Sequence, residues 1–111
     1  MELCQVSVAC ASDAEAAAVA DALLAARLAA CVQIIGPIES RYWWQGEREQ
    51  ATEWLCLVKT RTALVDDVVA AVRAHHSYDT PEVIATPIVA GDAAYLAWLD
   101  AEASAARGSQ L

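Results

Sequence analysis

Two β-rich stretches on either side of one glycine limit what this chain can fold into. Residues 31–45 and 48–60 are rich in β-branched and aromatic side chains, and Gly46 lies between them. A short connection of this kind predicts a hairpin of two antiparallel strands. At ~3.3 Å per residue each arm reaches roughly 40 Å, which is longer than a small domain needs. The tip of the hairpin should therefore project beyond the body of the molecule.

The projecting tip carries three aromatic side chains, Tyr42, Trp43 and Trp44. Apolar surface of this kind is costly in water unless another surface covers it. We therefore expect an oligomer in which neighbouring subunits cover the tip.

The remaining elements follow from periodicity and capping residues. Ser12 and Glu15 have the form of a capping box, which predicts the start of an alanine-rich helix. Proline at positions 37 and 87 predicts a bulge or an edge position in two of the strands. In chain order the predicted elements are a strand over 3–10, a helix over 13–29, strands over 31–45 and 48–60, a helix from Thr62 to about 75, a strand over 82–90 and a short helix capped by Asp92.

This order of elements predicts the fold class. A β-α-β-β-α-β sequence with a hairpin in its middle predicts a ferredoxin-like α+β sandwich, in which both main helices lie on one face of an antiparallel sheet. A short C-terminal helix follows. Residues 1–103 are expected to form a single domain, and residues 104–111 a frayed tail.

Composition and charge exclude several functions. The chain has 7 basic and 15 acidic side chains, a net charge of -8 and a single lysine, Lys59, which disfavours nucleic acid and anionic membranes as partners. No run of ~20 apolar residues predicts a transmembrane helix, and the first residues do not resemble a secretion signal, so we expect a cytoplasmic protein. Because the four cysteines contain no CxxC pair, we expect free thiols.

The predicted topology brings a thiol and two imidazoles to one end of the molecule. Cys10 ends the first strand, and His75 and His76 end the second helix, which returns to the same edge of the sheet. Cysteine and histidine together suit copper and zinc. The remaining thiols are expected elsewhere: Cys4, Cys31 and Cys56.

A purely structural interpretation of these residues stays open. Histidines in the last turn of a helix interact favourably with its dipole, and Cys10 could be a small core residue. Asp79 and Glu82 could bind an ion or only solvate the turn. No oxyanion-hole motif or Gly-rich loop accompanies Cys10, so we do not expect an enzyme or a phosphate-binding protein.

Six segments carry a family resemblance that covers nearly the whole chain. They are LAACVQII at 28–35, IESRYWWQG at 38–46, KT at 59–60, HHSYDTPE at 75–82, PI at 87–88 and GDAAYLAWL at 91–99. In these segments the sequence resembles the divalent-cation tolerance (CutA) family. The resemblance implies a ferredoxin-like protomer in a homotrimer whose long hairpins wrap neighbouring subunits.

The same resemblance implies a non-enzymatic protein that binds divalent metal ions, Cu(II) foremost, in metal-ion tolerance. The family's copper site, carried over by position, falls on Cys10, His75 and His76. The chain departs from the family at Ser77, where proline is usual, and at Gly36-Pro37, where the order is commonly reversed. Metal affinity should fall at acid pH, because protonated imidazole cannot bind a metal.

Two other functions stay open at this point. One is a trimeric signalling module similar to the PII-type proteins, which bind small effectors between subunits. Arg41, Tyr42, Trp44 and Lys59 would form a small-ligand cleft between subunits, or would instead only pack at the trimer interface, which is the interpretation we favour. The other is a structural scaffold trimer, for which the sequence contains no partner motif.

Overall fold

The fold consists of four strands and three α-helices, seen in a computed structural model that describes residues 1–107. The elements are β1 (Leu3–Cys10), α1 (Asp13–Ala25), β2 (Cys31–Trp44), β3 (Glu47–Arg61), a 3-10 turn (Thr62–Leu64), α2 (Val65–His75), β4 (Val83–Pro87) and α3 (Ala93–Glu102). Within the described residues, no helix has the length and apolar character needed to cross a membrane.

The four strands form one antiparallel sheet in the order β2-β3-β1-β4. The predicted α+β class with an antiparallel sheet is therefore confirmed. β4, which ends at Pro87, is an edge strand, one of the two alternatives that the proline predicted. The core lies between one face of the sheet and the helices α1 and α2, which contact each other. Its members include Val6, Val8, Val58, Leu23 and Val72.

The helix α1 ends four residues earlier than the sequence predicts. Its last helical residue is Ala25, and Arg27 adopts a left-handed conformation with φ 58°. The backbone N–H of Leu28 then donates to the carbonyl of Leu23, and that of Ala30 donates to Lys59 on β3. The chain leaves the helix here because pairing with β3 offers the backbone an alternative set of hydrogen bonds.

The start of α2 also differs from the prediction. Thr62 does not cap the helix but begins the 3-10 turn, and α2 starts at Val65 without a capping side chain. The fully buried Leu64 fixes this turn against the core instead. Tertiary packing therefore sets this helix boundary where a capping residue was expected.

The hairpin of β2 and β3 makes the molecule elongated, with principal extents of 49, 27 and 23 Å. Its two-residue turn, Gln45 and Gly46, has φ of 50° and 82°, the left-handed conformations that a tight hairpin favours. The register shifts between Ile35 and Ile38, so the predicted bulge is present, and the Gly36–Pro37 peptide bond within it is cis.

The segment after α3 returns to the body of the molecule. The Arg61 guanidinium donates to the carbonyls of Ala103 and Ala105, and the Ala105 N–H donates to the carbonyl of Arg27. Of the predicted frayed tail, residues 104–107 thus form a turn with tertiary hydrogen bonds, whereas 108–111 lie outside the described residues.

Candidate functional site

Three potential metal ligands meet where β1, α1 and the end of α2 come together. The Cys10 sulfur, a carboxylate oxygen of Glu15 and a ring nitrogen of His76 all lie within 4.8 Å of one another. The side chains of Cys10 and His76 are both fully buried. We call these three residues the metal-donor cluster; in the part of the chain that the structure describes, no other group of three such side chains lies this close.

Glu15 enters the cluster because it caps α1. Its backbone N–H donates to Ser12 Oγ at 3.0 Å, and its Oε2 accepts from the backbone N–H of Ala11 at 2.9 Å, close to the predicted capping box. Its Oε1 accepts from the backbone N–H of Ser77 at 2.7 Å. One carboxylate therefore ties the start of α1 to the segment that follows α2.

His76 is held by hydrogen bonds at both ring nitrogens. Its Nδ1 accepts from the backbone N–H of Tyr78 at 3.1 Å, and its Nε2 lies 2.6 Å from the carbonyl oxygen of Ala9. Because an amide N–H can only donate, the proton of the neutral ring is assigned to Nε2. Nε2 also lies 3.8 Å from Glu15 Oε2, so this nitrogen faces the cluster.

The surroundings shift the ionisation of the other two ligands in opposite directions. Burial opposes ionisation of Glu15, but the hydrogen bonds from Ala11 and Ser77 together outweigh it and lower the pKa of its carboxyl group. The hydrogen bond with the Cys56 thiol, together with burial, raises the pKa of Cys10. The cluster therefore holds a thiol and not a thiolate, and a metal would have to displace its proton.

The placement of Cys56 corrects one prediction. Cys56 lies opposite Val8 on the neighbouring strand, and its thiol contacts that of Cys10. It also donates to the carbonyl of Ala16 at 3.5 Å. The prediction that Cys56 lies elsewhere is wrong because the register of β3 against β1, which no local pattern gives, brings the two thiols together.

The structure separates the two histidines that the sequence grouped together. His75 is exposed, and its Nδ1 lies 2.9 Å from the carbonyl of Ala71 in its own helix. It is not part of the metal-donor cluster. Metal binding by His75, as by Cys10 and His76, stays a prediction.

The donor set of the cluster fits a first-row transition metal. Such metals bind sulfur, nitrogen and oxygen at about 2.0–2.3 Å, and cysteine, histidine and carboxylate are the ligands that Zn²⁺ and copper use. A shared ion would draw donor atoms that now lie up to 4.8 Å apart about 1 Å closer. An ion bound at His76 Nε2 would move the ring proton to Nδ1, so the hydrogen bond to the Ala9 carbonyl and that from the Tyr78 N–H would both be lost on binding.

A cleft of about 600 Å³ opens beside the hairpin, and we call it the hairpin cleft. Three of the four residues predicted for a small-ligand cleft line it, Arg41, Tyr42 and Trp44. Lys59 does not: it pairs with Cys31 at the other end of β3, and its ammonium group bonds to Gln33. The full lining is Ala9, Ser40, Arg41, Tyr42, Trp44, Glu53, Tyr78, Asp79, Thr80 and Glu82.

Among the residues described, Glu53 and Tyr78 are the one pair of lining side chains that a direct hydrogen bond joins. Glu53 is only 7% exposed, and the Tyr78 hydroxyl donates to its Oε2 at 3.1 Å. The Tyr78 ring also packs against His76, with ring centroids 4.8 Å apart. Tyr78 therefore connects the hairpin cleft to the metal-donor cluster.

Tyr78 is expected to ionise only at strongly alkaline pH. Burial and the hydrogen bond to Glu53 raise the pKa of Tyr78 to about 12 from the ordinary 10.0. Because this pKa is higher in the folded chain, the resulting stability is present below pH 10 and is lost as the pH rises towards 12. An absorbance titration should show one tyrosine ionising near pH 12, and Tyr78→Phe should remove that step; loss of a different step would contradict the assignment.

Sequence reasoning did not identify Glu15, Glu53 or Tyr78 as site residues. A signal existed for Glu15, because the capping box places it one turn from the end of β1. No local signal marks Glu53, since its burial depends on how the bulge aligns β2 with β3.

Comparisons with known proteins agree on one family. Residues 4–102 match the profile of the family described as "CutA1 divalent ion tolerance protein". The "Divalent-cation tolerance protein CutA" of Archaeoglobus fulgidus is 46% identical over 86 residues, which cover 78% of this chain and 83% of that protein. The rice "Protein CutA 1, chloroplastic" is 48% identical over 80 residues, which cover 72% of this chain but only 45% of the rice protein.

Solved structures show the same fold. The "Structure of the Periplasmic divalent cation tolerance protein CutA from Archaeoglobus fulgidus" superposes with a TM-score of 0.88 at 40% identity, covering 91% of this chain and 98% of that one. The "Crystal structure of CutA1 from Oryza sativa" gives a TM-score of 0.89 at 39% identity, covering 92% of this chain and 94% of the rice chain.

Proposed function

The chain belongs to the CutA1 divalent ion tolerance family, and from that premise we propose that it is a non-enzymatic homotrimer that binds divalent metal ions. Copper is the ion we propose foremost, and tolerance of such ions is the proposed role. The proposed compartment is the cytoplasm, where the free cysteines would stay reduced.

The observation that carries this proposal is the convergence of Cys10, Glu15 and His76. Three donor types meet within 4.8 Å, and each comes from a different segment of the chain. A bound divalent ion would neutralise the negative charges of the Glu15 carboxylate and of the thiolate formed on binding. Because the surroundings are largely buried, this charge balance supports a cation as the ligand. Cu(II) is favoured over Zn(II) because copper has the higher affinity for such ligands.

A different part of the chain positions each of the three proposed ligands. The β1 backbone places Cys10, the α1 cap places Glu15, and in the metal-free chain the hydrogen bond from Tyr78 holds the His76 ring with Nε2 facing the cluster. An ion entering the site would release the proton of the Cys10 thiol and would need a neutral His76 ring, so binding should weaken as the pH falls.

The proposed trimer rests on uncovered apolar surface. Trp43 at the hairpin tip is 71% exposed, and Ile84 on the sheet face opposite α1 and α2 is 58% exposed. Neighbouring subunits that covered both regions would remove this surface from water.

Calorimetric titration of Cu(II) into the metal-free protein measures the binding affinity and tests the proposal. We expect Cys10→Ser to weaken binding at least about tenfold, because it removes the sulfur ligand but keeps the size of the side chain. His75→Ala is the matched control and should change affinity less than about twofold, since His75 lies outside the cluster.

Two results would change this assignment. Equal affinity in the wild type and Cys10→Ser would show that the metal-donor cluster is not the copper site. Equal loss in Cys10→Ser and His75→Ala would instead restore the three-residue site predicted from the sequence. Titration of Zn(II) under the same conditions provides a comparison with an ion that undergoes no redox chemistry.

A further inference from the structure

We propose that the hairpin cleft binds a small organic ammonium ion and that the Glu53 carboxylate is its anchor. The cleft adjoins the metal-donor cluster through Tyr78 but contains none of its three ligands, and the proposal does not depend on metal binding. It assigns a ligand class to a cleft that the metal-tolerance function leaves without a role.

The charge of the cleft favours a cation. Three of its lining residues are acidic, Glu53, Asp79 and Glu82, and one, Arg41, is basic. Arg41 donates from Nε and Nη2 to the same oxygen of Glu39, at 3.3 and 2.9 Å, so a carboxylate outside the lining already compensates its charge. The cleft therefore attracts positive charge and repels anions such as nucleotides.

The size of the cleft and the arrangement of its carboxylates favour an organic cation over a metal ion. A volume of about 600 Å³ lies within the range of small-molecule sites. A metal ion needs several donor atoms that converge on one point, and within the described residues only the metal-donor cluster provides this. Carboxylates spread around a wide cleft can instead contact different parts of a larger ligand.

The aromatic lining supplies the second kind of contact. Tyr42, Trp44 and Tyr78 line the same cleft as the carboxylates. Aromatic faces attract ammonium groups through the ring quadrupole and also cover the apolar part of an organic ligand. A ligand with a protonated amine and an apolar body would match both features.

The free oxygen of Glu53 favours an ammonium group that carries N–H donors. Tyr78 donates to Oε2, and none of the side-chain hydrogen bonds within residues 1–107 reaches Oε1. Glu53 as a whole is only 7% exposed, and a carboxylate in such a place gains most from a donor that also carries positive charge. A primary ammonium ion provides such donors, and a quaternary ammonium ion does not.

Binding of 2-phenylethylamine to the assembled protein, measured by calorimetry, tests the proposal. The controls are 2-phenylethanol, which is neutral, and 3-phenylpropanoate, which is anionic. We expect only the amine to bind and Glu53→Gln to weaken its binding at least about tenfold. The glutamine amide oxygen can still accept from Tyr78, so the variant should keep the shape of the cleft.

Glu49→Gln is the matched control variant, because it removes the same charge from an exposed position on the same strand, outside the cleft. It should change the affinity less than about twofold. Amide and indole ¹⁵N shifts in the wild-type protein give a readout that does not depend on either variant folding, and the indole signal of Trp44 should move on addition of the amine. The proposal is wrong if the amine does not bind, if the three compounds bind equally, if both variants lose affinity equally, or if the Trp44 signal does not move.

Discussion

Replacing Gly36 by alanine is expected to lower the free energy of unfolding by about 3 kcal/mol, the upper part of the usual range for overpacking. A Cβ atom on Gly36 would lie 2.2 Å from Cδ1 of Trp54 and 2.6 Å from its Cγ, well inside van der Waals contact. The indole cannot move away freely, because it packs against the buried core beside Cys10. Urea unfolding of wild type and variant at equal protein concentration measures the difference.

Two further variants separate the steric clash from other effects of losing a glycine. Gly46→Ala should cost only about 1 kcal/mol, because the new Cβ meets open space and only the left-handed backbone, with φ 82°, opposes it. In a Trp54→Leu background the cost of Gly36→Ala should fall below about 1 kcal/mol, since the indole is gone. An unchanged cost in that background would mean that Trp54 is not the obstacle.

Replacing His76 by alanine is expected to destabilise the metal-free protein by about 3 kcal/mol. The variant leaves a cavity where a fully buried ring stood and removes the partners of the Ala9 carbonyl and the Tyr78 N–H. His75→Ala should change stability by less than about 0.5 kcal/mol, because that ring is exposed. Urea unfolding without metal measures both values.

A second measurement locates the effect of the His76 variant. The backbone amide of Tyr78 donates to His76 Nδ1, so its hydrogen exchange should be faster in His76→Ala and unchanged in His75→Ala. Equal stability losses in the two variants would contradict the structural role assigned to His76. Because neither measurement uses metal, the result does not depend on the proposed copper site.

Local sequence patterns predicted most of the elements. The bounds of β1 agree with the alternating residues, the hairpin turn lies at its glycine, and Asp92 caps α3 by accepting from the backbone N–H of Tyr95. These features depend on side chains within a few residues of one another. The early end of α1 and the uncapped start of α2 were not predictable in this way, because β3 and the core decide them.

The candidate site was predictable only in part. Topology correctly brought Cys10 near the end of α2, where His76 bonds to the carbonyl of Ala9 on β1. The predicted topology does not distinguish His75 from His76. The two are adjacent at the end of a helix, and the orientation of the last turn decides which ring enters the interior. The structure explains the serine at position 77, where the family usually has proline. The backbone N–H of Ser77 donates to Glu15, and proline has no such donor.

The sequence by itself determined the family, the α+β class and the long hairpin, because these follow from motifs and periodicities that neighbouring residues carry. Only the tertiary structure decided which side chains meet: Cys56 with Cys10, Glu15 with His76, and Glu53 with Tyr78. Each of these contacts joins segments that strand register and helix packing bring together. Pro37 predicted the bulge in β2, but not which residues of β2 and β3 would lie opposite one another on either side of it.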